Sequence, residues 1–177
     1  LKERNVVATF FVTGENAQNY PNIIRREQEE GHLIGNHTYN HVQLDKISKE
    51  AAKEEIEATN QEIYEITGVY PAWLRPPYGL IDQEMNAQIP VPMVQWSVDP
   101  RDWESRNTDQ TVQAVLSEVQ PGDIILLHDI YATSVEAALQ IVDALTEQGY
   151  WFVTVEELLE LNGIRPQAGV LYRSGRG

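Results

Sequence analysis

The strongest constraint on the fold is an alternation. Short apolar runs recur along the chain at Val6 to Val12, Leu33-Ile34, Trp73-Leu74, Met93 to Val98, Ile124 to Leu127 and Trp151 to Val153. Continuous apolar runs bounded by turn residues read as strands buried on both faces. Segments with helical spacing separate them. One runs from Pro21, a helix-starting residue, to Gly31, a helix-stopping one. Another opens at Ser48, places Ala52, Ile56, Thr59, Ile63 and Ile66 at alternating steps of four and three, and ends at Gly68. A weaker stretch covers Asp82 to Gln88, and two more helices are read at Thr108 to Val119 and Val135 to Gln148. Thr154 with Glu157 forms a capping box for a last helix reaching Leu161. Strands alternating with helices in this way give a parallel sheet covered by helices, open or closed into a barrel.

The chain has 177 residues, 42% of them hydrophobic, enough for one domain with a sizeable core and too few for two. The domain is read as residues 1–163, followed by a tail of residues 164–177 that has no periodicity and is expected on the surface. Basic residues are outnumbered: Lys plus Arg number 13 against 27 Asp plus Glu, a net charge of −14 spread along the chain. That argues against nucleic acid and anionic membrane surfaces as partners, because both demand basic surface, and favours a neutral ligand. No cysteine is present, so disulfides and thiolate ligands are ruled out. No apolar run is long enough to span a membrane.

If the strands are parallel, their ends share one face, the usual active-site face of barrels. Every polar cluster follows a strand. His37 and His41 in GNHTYNH have a spacing that suits two imidazoles clamping one divalent ion, or are simply a pair of loop histidines. With no cysteine available, remaining ligands must be carboxylate or imidazole, which suits zinc or a similar first-row ion. Arg75 to Gly79, RPPYG, is stiffened by two prolines and is either a rigid presenter of an arginine and backbone N–H groups or a structural loop. Asp99 to Trp103, DPRDW, is either a solvated turn or the place where an Asp holds a histidine under a tryptophan cover. His128, followed by Asp129, is a proton donor or a strand-end cap.

Taken in order, ATFFVTGENA, GNHTYNH, LRPPYG, DPRDW and ILLHD resemble the polysaccharide deacetylase family, carbohydrate esterase family 4, over about residues 5 to 163. The resemblance implies a distorted parallel (β/α) barrel. It implies that His37 and His41 are metal ligands, that Arg75 orients the catalytic base, and that the Tyr78 backbone N–H faces a developing oxyanion. Asp102 then pairs with the catalytic acid His128, and Trp103 and Leu126 wall the pocket for the acetyl methyl.

The implied activity is metal-dependent removal of N-acetyl groups from a glycan such as bacterial peptidoglycan N-acetylglucosamine or chitooligosaccharide. The implied ion is zinc, with cobalt, nickel or manganese as alternatives. An O-acetyl xylan esterase or an inactive glycan-binding fragment are the competing readings. The family's first motif, a TFDDG-like strand end with the aspartate base and an aspartate ligand, has no match in the sequence. The barrel is therefore expected to lack its first strand, and a cleaved N-terminal segment that stays associated is the expected source of both aspartates. The implied location is extracellular or at the cell wall.

Overall fold

The structure, a computed structural model, describes residues 1–176. Its sheet is parallel. β1 (Thr9–Val12) pairs with β2 (Leu33–Asn36), with Phe10 beside Ile34 and Val12 beside Asn36. Single parallel bridges join Asn36 to Leu74 and Leu74 to Met93, which carries the sheet on to β3 (Met93–Val94) and then to β4 (Leu171–Tyr172). A further parallel bridge joins Val98 to Ile125. The connecting helices are α1 (Gly14–Asn19), α2 (Pro21–Glu29), α3 (Lys49–Thr67), α4 (Gln83–Asn86), α5 (Asp102–Ser105), α6 (Thr108–Glu118), α7 (Ala132–Glu147) and α8 (Val155–Leu161).

The longest helix shows why the pattern works. The Ser48 hydroxyl accepts from the Ala51 N–H and satisfies a free donor at the start of α3, while Gly68, at φ 75°, closes its end in the left-handed region. Ala52, Ile56, Thr59 and Ile63 fall on one buried stripe between these caps. Burying each isoleucine contributes roughly 1.5–3 kcal/mol.

Along the strands, side chains alternate between two destinations. Phe10, Val12 and Ile34 face outward onto Ala17, Ile24 and Ile63, and Leu74 and Met93 pack on Leu44, Ala52, Ile56 and Met85. Val98, Ile125 and Leu127 meet Val115 and the Ala137, Ile141 and Leu145 stripe of α7. The residues between them, Phe11, Leu33, Trp73, Val94, Trp96 and Ile124, gather around Val155 and Leu159 of α8. The same two-residue period carries Arg75, Leu126 and His128 to this inner side, where the strands end.

Several expectations are corrected. The strand read as Val6 to Val12 is confined to β1, and the strands read at Met93 to Val98 and Ile124 to Leu127 shrink to β3 and isolated bridges. No strand forms at Trp151 to Val153, where no ladder partner exists among the described residues and Trp151 is 89% exposed. Apolar content marks burial, but a strand also needs a neighbour for its N–H and C=O groups.

Two helices, α1 and α5, carry no periodic signal in the sequence because each has only one or two turns. The segment beyond Gly163 is not a surface tail. It turns at Gly169, at φ 73°, and enters the sheet as β4, with the Met93 N–H donating to the Val170 carbonyl and the Gln95 N–H to that of Tyr172, both at 2.8 Å. Two strand residues are too few to show a period of two, so the placement depends on this backbone pairing.

Candidate active site

The histidine pair sits on a tightly tied loop after β2. Asn36 is buried and makes three side-chain bonds: its Nδ2 donates to the Ile56 carbonyl at 2.9 Å and to Asn60 Oδ1 at 2.8 Å, and its Oδ1 accepts from the Thr38 N–H at 2.8 Å. Glu55, from α3, accepts from the N–H groups of Tyr39 at 2.9 Å and Asn40 at 2.8 Å. These bonds hold Thr38 and His41 at φ 63° and 56°, a left-handed backbone that is strained for a β-branched threonine. The His37 and His41 rings meet edge to face with centroids 4.8 Å apart, and His41 meets Tyr78 at the same distance.

His37 Nδ1 lies 2.6 Å from the Arg75 carbonyl. A carbonyl only accepts, so Nδ1 carries the hydrogen and Nε2 is left with a lone pair. Burial pushes His37 down to about 3 against the opposing pull of that carbonyl, and the charges of His41, Arg75 and His128 push the same way as burial. Burial, then the His128 charge, lowers His41 as well. Both rings are therefore neutral at pH 7, which is the form that binds a metal. Two neutral imidazoles, that of His37 with its tautomer fixed, suit a divalent first-row ion as two of its ligands. Among the described residues, no third His, Cys, Asp or Glu joins them.

Arg75 is 9% exposed, with its guanidinium 4.4 Å from the centre of the Phe11 ring. Gly35 makes room for that ring, since a Cβ there would run into it. One Arg75 amino group donates to the Gln95 carbonyl at 3.1 Å, and among the described residues Nε has no partner and no carboxylate pairs with the guanidinium. Burial lowers it to about 9, so it stays charged at neutral pH. A buried, unpaired guanidinium is costly, and it invites a carboxylate. Beyond it Pro76 and Pro77 hold Tyr78 at φ 61°, and the Tyr78 N–H makes no backbone hydrogen bond among the described residues.

On the opposite side, Asp102 is 1% exposed and grips His128 twice. Its Oδ2 accepts from the His128 N–H at 2.7 Å and its Oδ1 lies 2.9 Å from Nδ1. Burial alone would raise the Asp102 carboxyl, yet the His128 ring, the nearby Ser134 hydroxyl and the His128 N–H together hold it below the usual carboxylate range. Ser134 Oγ lies outside hydrogen-bond geometry, so the two His128 contacts carry most of this effect. Trp103, beside Asp102 on α5, is 44% exposed, and Leu126, two residues before His128 on the same extended segment, is buried.

The structure thus brings His37, His41, Arg75, Tyr78, Asp102, Trp103, Leu126 and His128 to the strand ends, and a charge on His128 is felt at both His37 and His41. Sequence reasoning missed the residues that brace them. Asn36 and Glu55 are two, and Gln95 with Arg173 are two more. Gln95 donates to the Gly79 carbonyl, while its Oε1 accepts from Arg173 Nε at 2.6 Å. Asn36 stands inside GNHTYNH, which is a signal that could have found it, but nothing in the sequence connects Arg173 to residue 79.

A parallel barrel whose strand ends present a metal-competent imidazole pair opposite a carboxylate-held histidine defines a class of domain suited to acid–base work at a metal. Residues 1–90 match the family model described as polysaccharide deacetylase, and the chain belongs to that family. It is 40% identical over 158 residues to the peptidoglycan-N-acetylglucosamine deacetylase PgdA of Listeria monocytogenes, covering 89% of this chain and 34% of that protein. It is 42% identical over 161 residues to the peptidoglycan-N-acetylmuramic acid deacetylase PdaC of Bacillus subtilis, covering 91% and 34% respectively. The chain therefore spans about a third of the length of both relatives. Its fold matches that of a family 4 acetyl xylan esterase from Clostridium thermocellum in complex with a cobalt ion, at a TM-score of 0.92 and 32% identity, over 98% of this chain and 88% of that one. The distorted (β/α) barrel expected from the sequence is thereby established.

Proposed function

We propose that the protein carrying this chain is a metal-dependent hydrolase that removes N-acetyl groups from a glycan, first of all N-acetylglucosamine of bacterial peptidoglycan, with chitooligosaccharide as a second substrate. The observation that carries this reading is the pairing across one mouth of two neutral imidazoles, His37 and His41, with a histidine held by buried Asp102. His37 and His41 hold the ion, zinc in our reading, with cobalt, nickel or manganese as substitutes. When bound, it supplies Lewis acidity toward the acetamide carbonyl and makes water easier to deprotonate.

The chain's own groups do the rest. The unpaired Tyr78 N–H donates to the oxygen that gains charge, a contribution on the order of 10²-fold in rate. His128, oriented by Asp102 through Nδ1, presents Nε2 to the departing nitrogen and protonates it, since an amine anion is a very poor leaving group. Trp103 and Leu126 enclose the acetyl methyl and exclude water. Arg75 orients an aspartate base. The buried guanidinium, which has no carboxylate partner among the described residues, is the seat for that base. A substrate of this kind places the protein outside the cell or at the cell wall.

The similarity to the C. thermocellum esterase favours O-acetyl xylan as the second reading. Acetate release by the full-length protein from N-acetylated peptidoglycan and from O-acetyl xylan, with and without zinc, separates the two. Release from the amide alone supports the deacetylase, release from the ester alone the esterase. No release from either leaves an inactive glycan-binding protein.

A further inference from the structure

Two arginines bracket α5 in left-handed backbone, Arg101 at φ 53°, ψ 44° and Arg106 at φ 46°, ψ 36°. This region suits Gly or Asn, and an ordinary residue there costs roughly 1–2 kcal/mol. The two side chains have different fates. Arg101 pairs with Glu104 at 2.9 Å, and its N–H donates to Asp99 Oδ1 at 2.9 Å, so its charge is met locally. Arg106 is exposed, and among the described residues it has no carboxylate partner. Its guanidinium lies 4.7 Å over the Tyr131 ring, and Nε makes only a long 3.5 Å contact with the Trp103 carbonyl.

That position spans the two loops framing the mouth. The Arg106 N–H closes α5 on the Asp102 carbonyl at 2.9 Å, and Tyr131 stands three residues beyond His128, its N–H facing the His128 carbonyl at 3.4 Å. With one face on tyrosine and its charge unmet, a guanidinium keeps its N–H edge free for the bidentate hydrogen bonding that a carboxylate accepts. The chain's charge of −14 repels anions at long range, so an anionic group on a substrate needs a local cation to be tolerated here.

We propose that Arg106, seated on Tyr131, is the anion-binding edge of the substrate groove and takes a carboxylate carried by the glycan next to the sugar being deacetylated. The lactyl group of a muramyl residue and the peptide attached to it are the two sources of such a carboxylate. The proposal rests on the deacetylase reading for the orientation of the sugar, but its binding test does not depend on turnover.

The test uses full-length, zinc-loaded protein, wild type, Arg106→Gln and Arg106→Lys. The probes are an N-acetylated muramyl tetrasaccharide without peptide, the same glycan with its carboxyls reduced to alcohols, a peptide-bearing version, and neutral chitotetraose. Dissociation constants are read by calorimetry and kcat/KM by acetate release. Arg106→Gln is expected to weaken the peptide-free muramyl glycan by about tenfold in both measures while changing the reduced glycan and chitotetraose less than about twofold, with partial recovery in Arg106→Lys. An effect confined to the peptide-bearing glycan assigns the carboxylate to the peptide and keeps the site. Equal losses on charged and neutral glycans, or no loss on any, overturn the proposal. Absence of acetate release from every probe defeats the deacetylase reading instead, and the dissociation constants still decide the role of Arg106.

Discussion

The two sides of the strand-end mouth hold their histidines through the same ring nitrogen but with different partners. His37 directs Nδ1–H to the neutral carbonyl of Arg75, whereas His128 directs Nδ1 to the buried carboxylate of Asp102. The carbonyl fixes the tautomer and pulls His37 upward, but burial outweighs it and pushes the ring down to about 3. The Asp102 carboxylate fixes the His128 ring and its backbone N–H by two bonds. Under the proposed function, one side chain type serves as a ligand on one side and as a proton carrier on the other. Burial at His37 and the partner at each Nδ1 together set the two sides apart.

Substitutions at each side break this contrast in different ways. The largest effect is expected for His37→Ala, which removes one of the two proposed imidazole ligands: zinc affinity of the full-length protein, measured against a competing chelator, should fall by about 10²-fold or more, with acetate release lost alongside. Unchanged zinc affinity would remove that side from metal binding. His128→Ala should lower turnover by about 10²-fold or more while zinc content stays at the wild-type value. If zinc is lost in parallel, the two sides are not independent.

Arg173→Ala probes a brace rather than a group at the reacting atoms. It should lower kcat by roughly tenfold with KM little changed, because loss of the bond to Gln95 loosens Gly79 and with it the Tyr78 N–H. Arg173→Lys should recover part of the rate, and equal changes in kcat and KM would argue against the brace.

The smallest effect concerns pH and stability. Glu27 on α2 is raised from 4.5 to about 7, mainly by burial and then by the charge of Asp129, and its Oε2 has no partner among the described residues. The folded state therefore binds more protons than the unfolded one between these values, so this contribution falls as pH rises through that window. Asp102 has the opposite sign, since its lowered carboxyl contributes stability above 3.8 that is lost on acidification. Glu27→Gln should raise Tm at pH 8 by about 2–4 °C, corresponding to about 1 kcal/mol after solvent screening, and leave it nearly unchanged at pH 4. Calorimetric melts at the two pH values check this.

Legibility differs between elements for physical reasons. α3 and α8 are readable because both caps and the buried stripe are local, and Thr154 and Glu157 do form the capping box. The parallel β/α class is readable because strands buried on both faces must be apolar. Strand limits are not, because a run such as Ile124 to Leu127 becomes a ladder only where a neighbour supplies partners. At the site, His37, His41, Arg75, Asp102 and His128 can be singled out, since their chemistry is explicit in the residue type. Glu55, Gln95 and Arg173 cannot, because amides and surface ions are common and their role arises from what they touch.

By itself the sequence determined the alternation of strands and helices, the helix caps, the absence of thiolate chemistry and the set of side chains able to act. Those follow from interactions between residues near in the chain, or from composition. Tertiary structure alone decided that Leu171-Tyr172 joins the sheet beside β3, that Asp102 reaches His128 across 26 positions, and that Arg75 is buried with no carboxylate partner among the described residues. Such contacts join segments far apart in sequence. Their geometry is fixed by packing and backbone pairing, neither of which leaves a periodic mark in the chain.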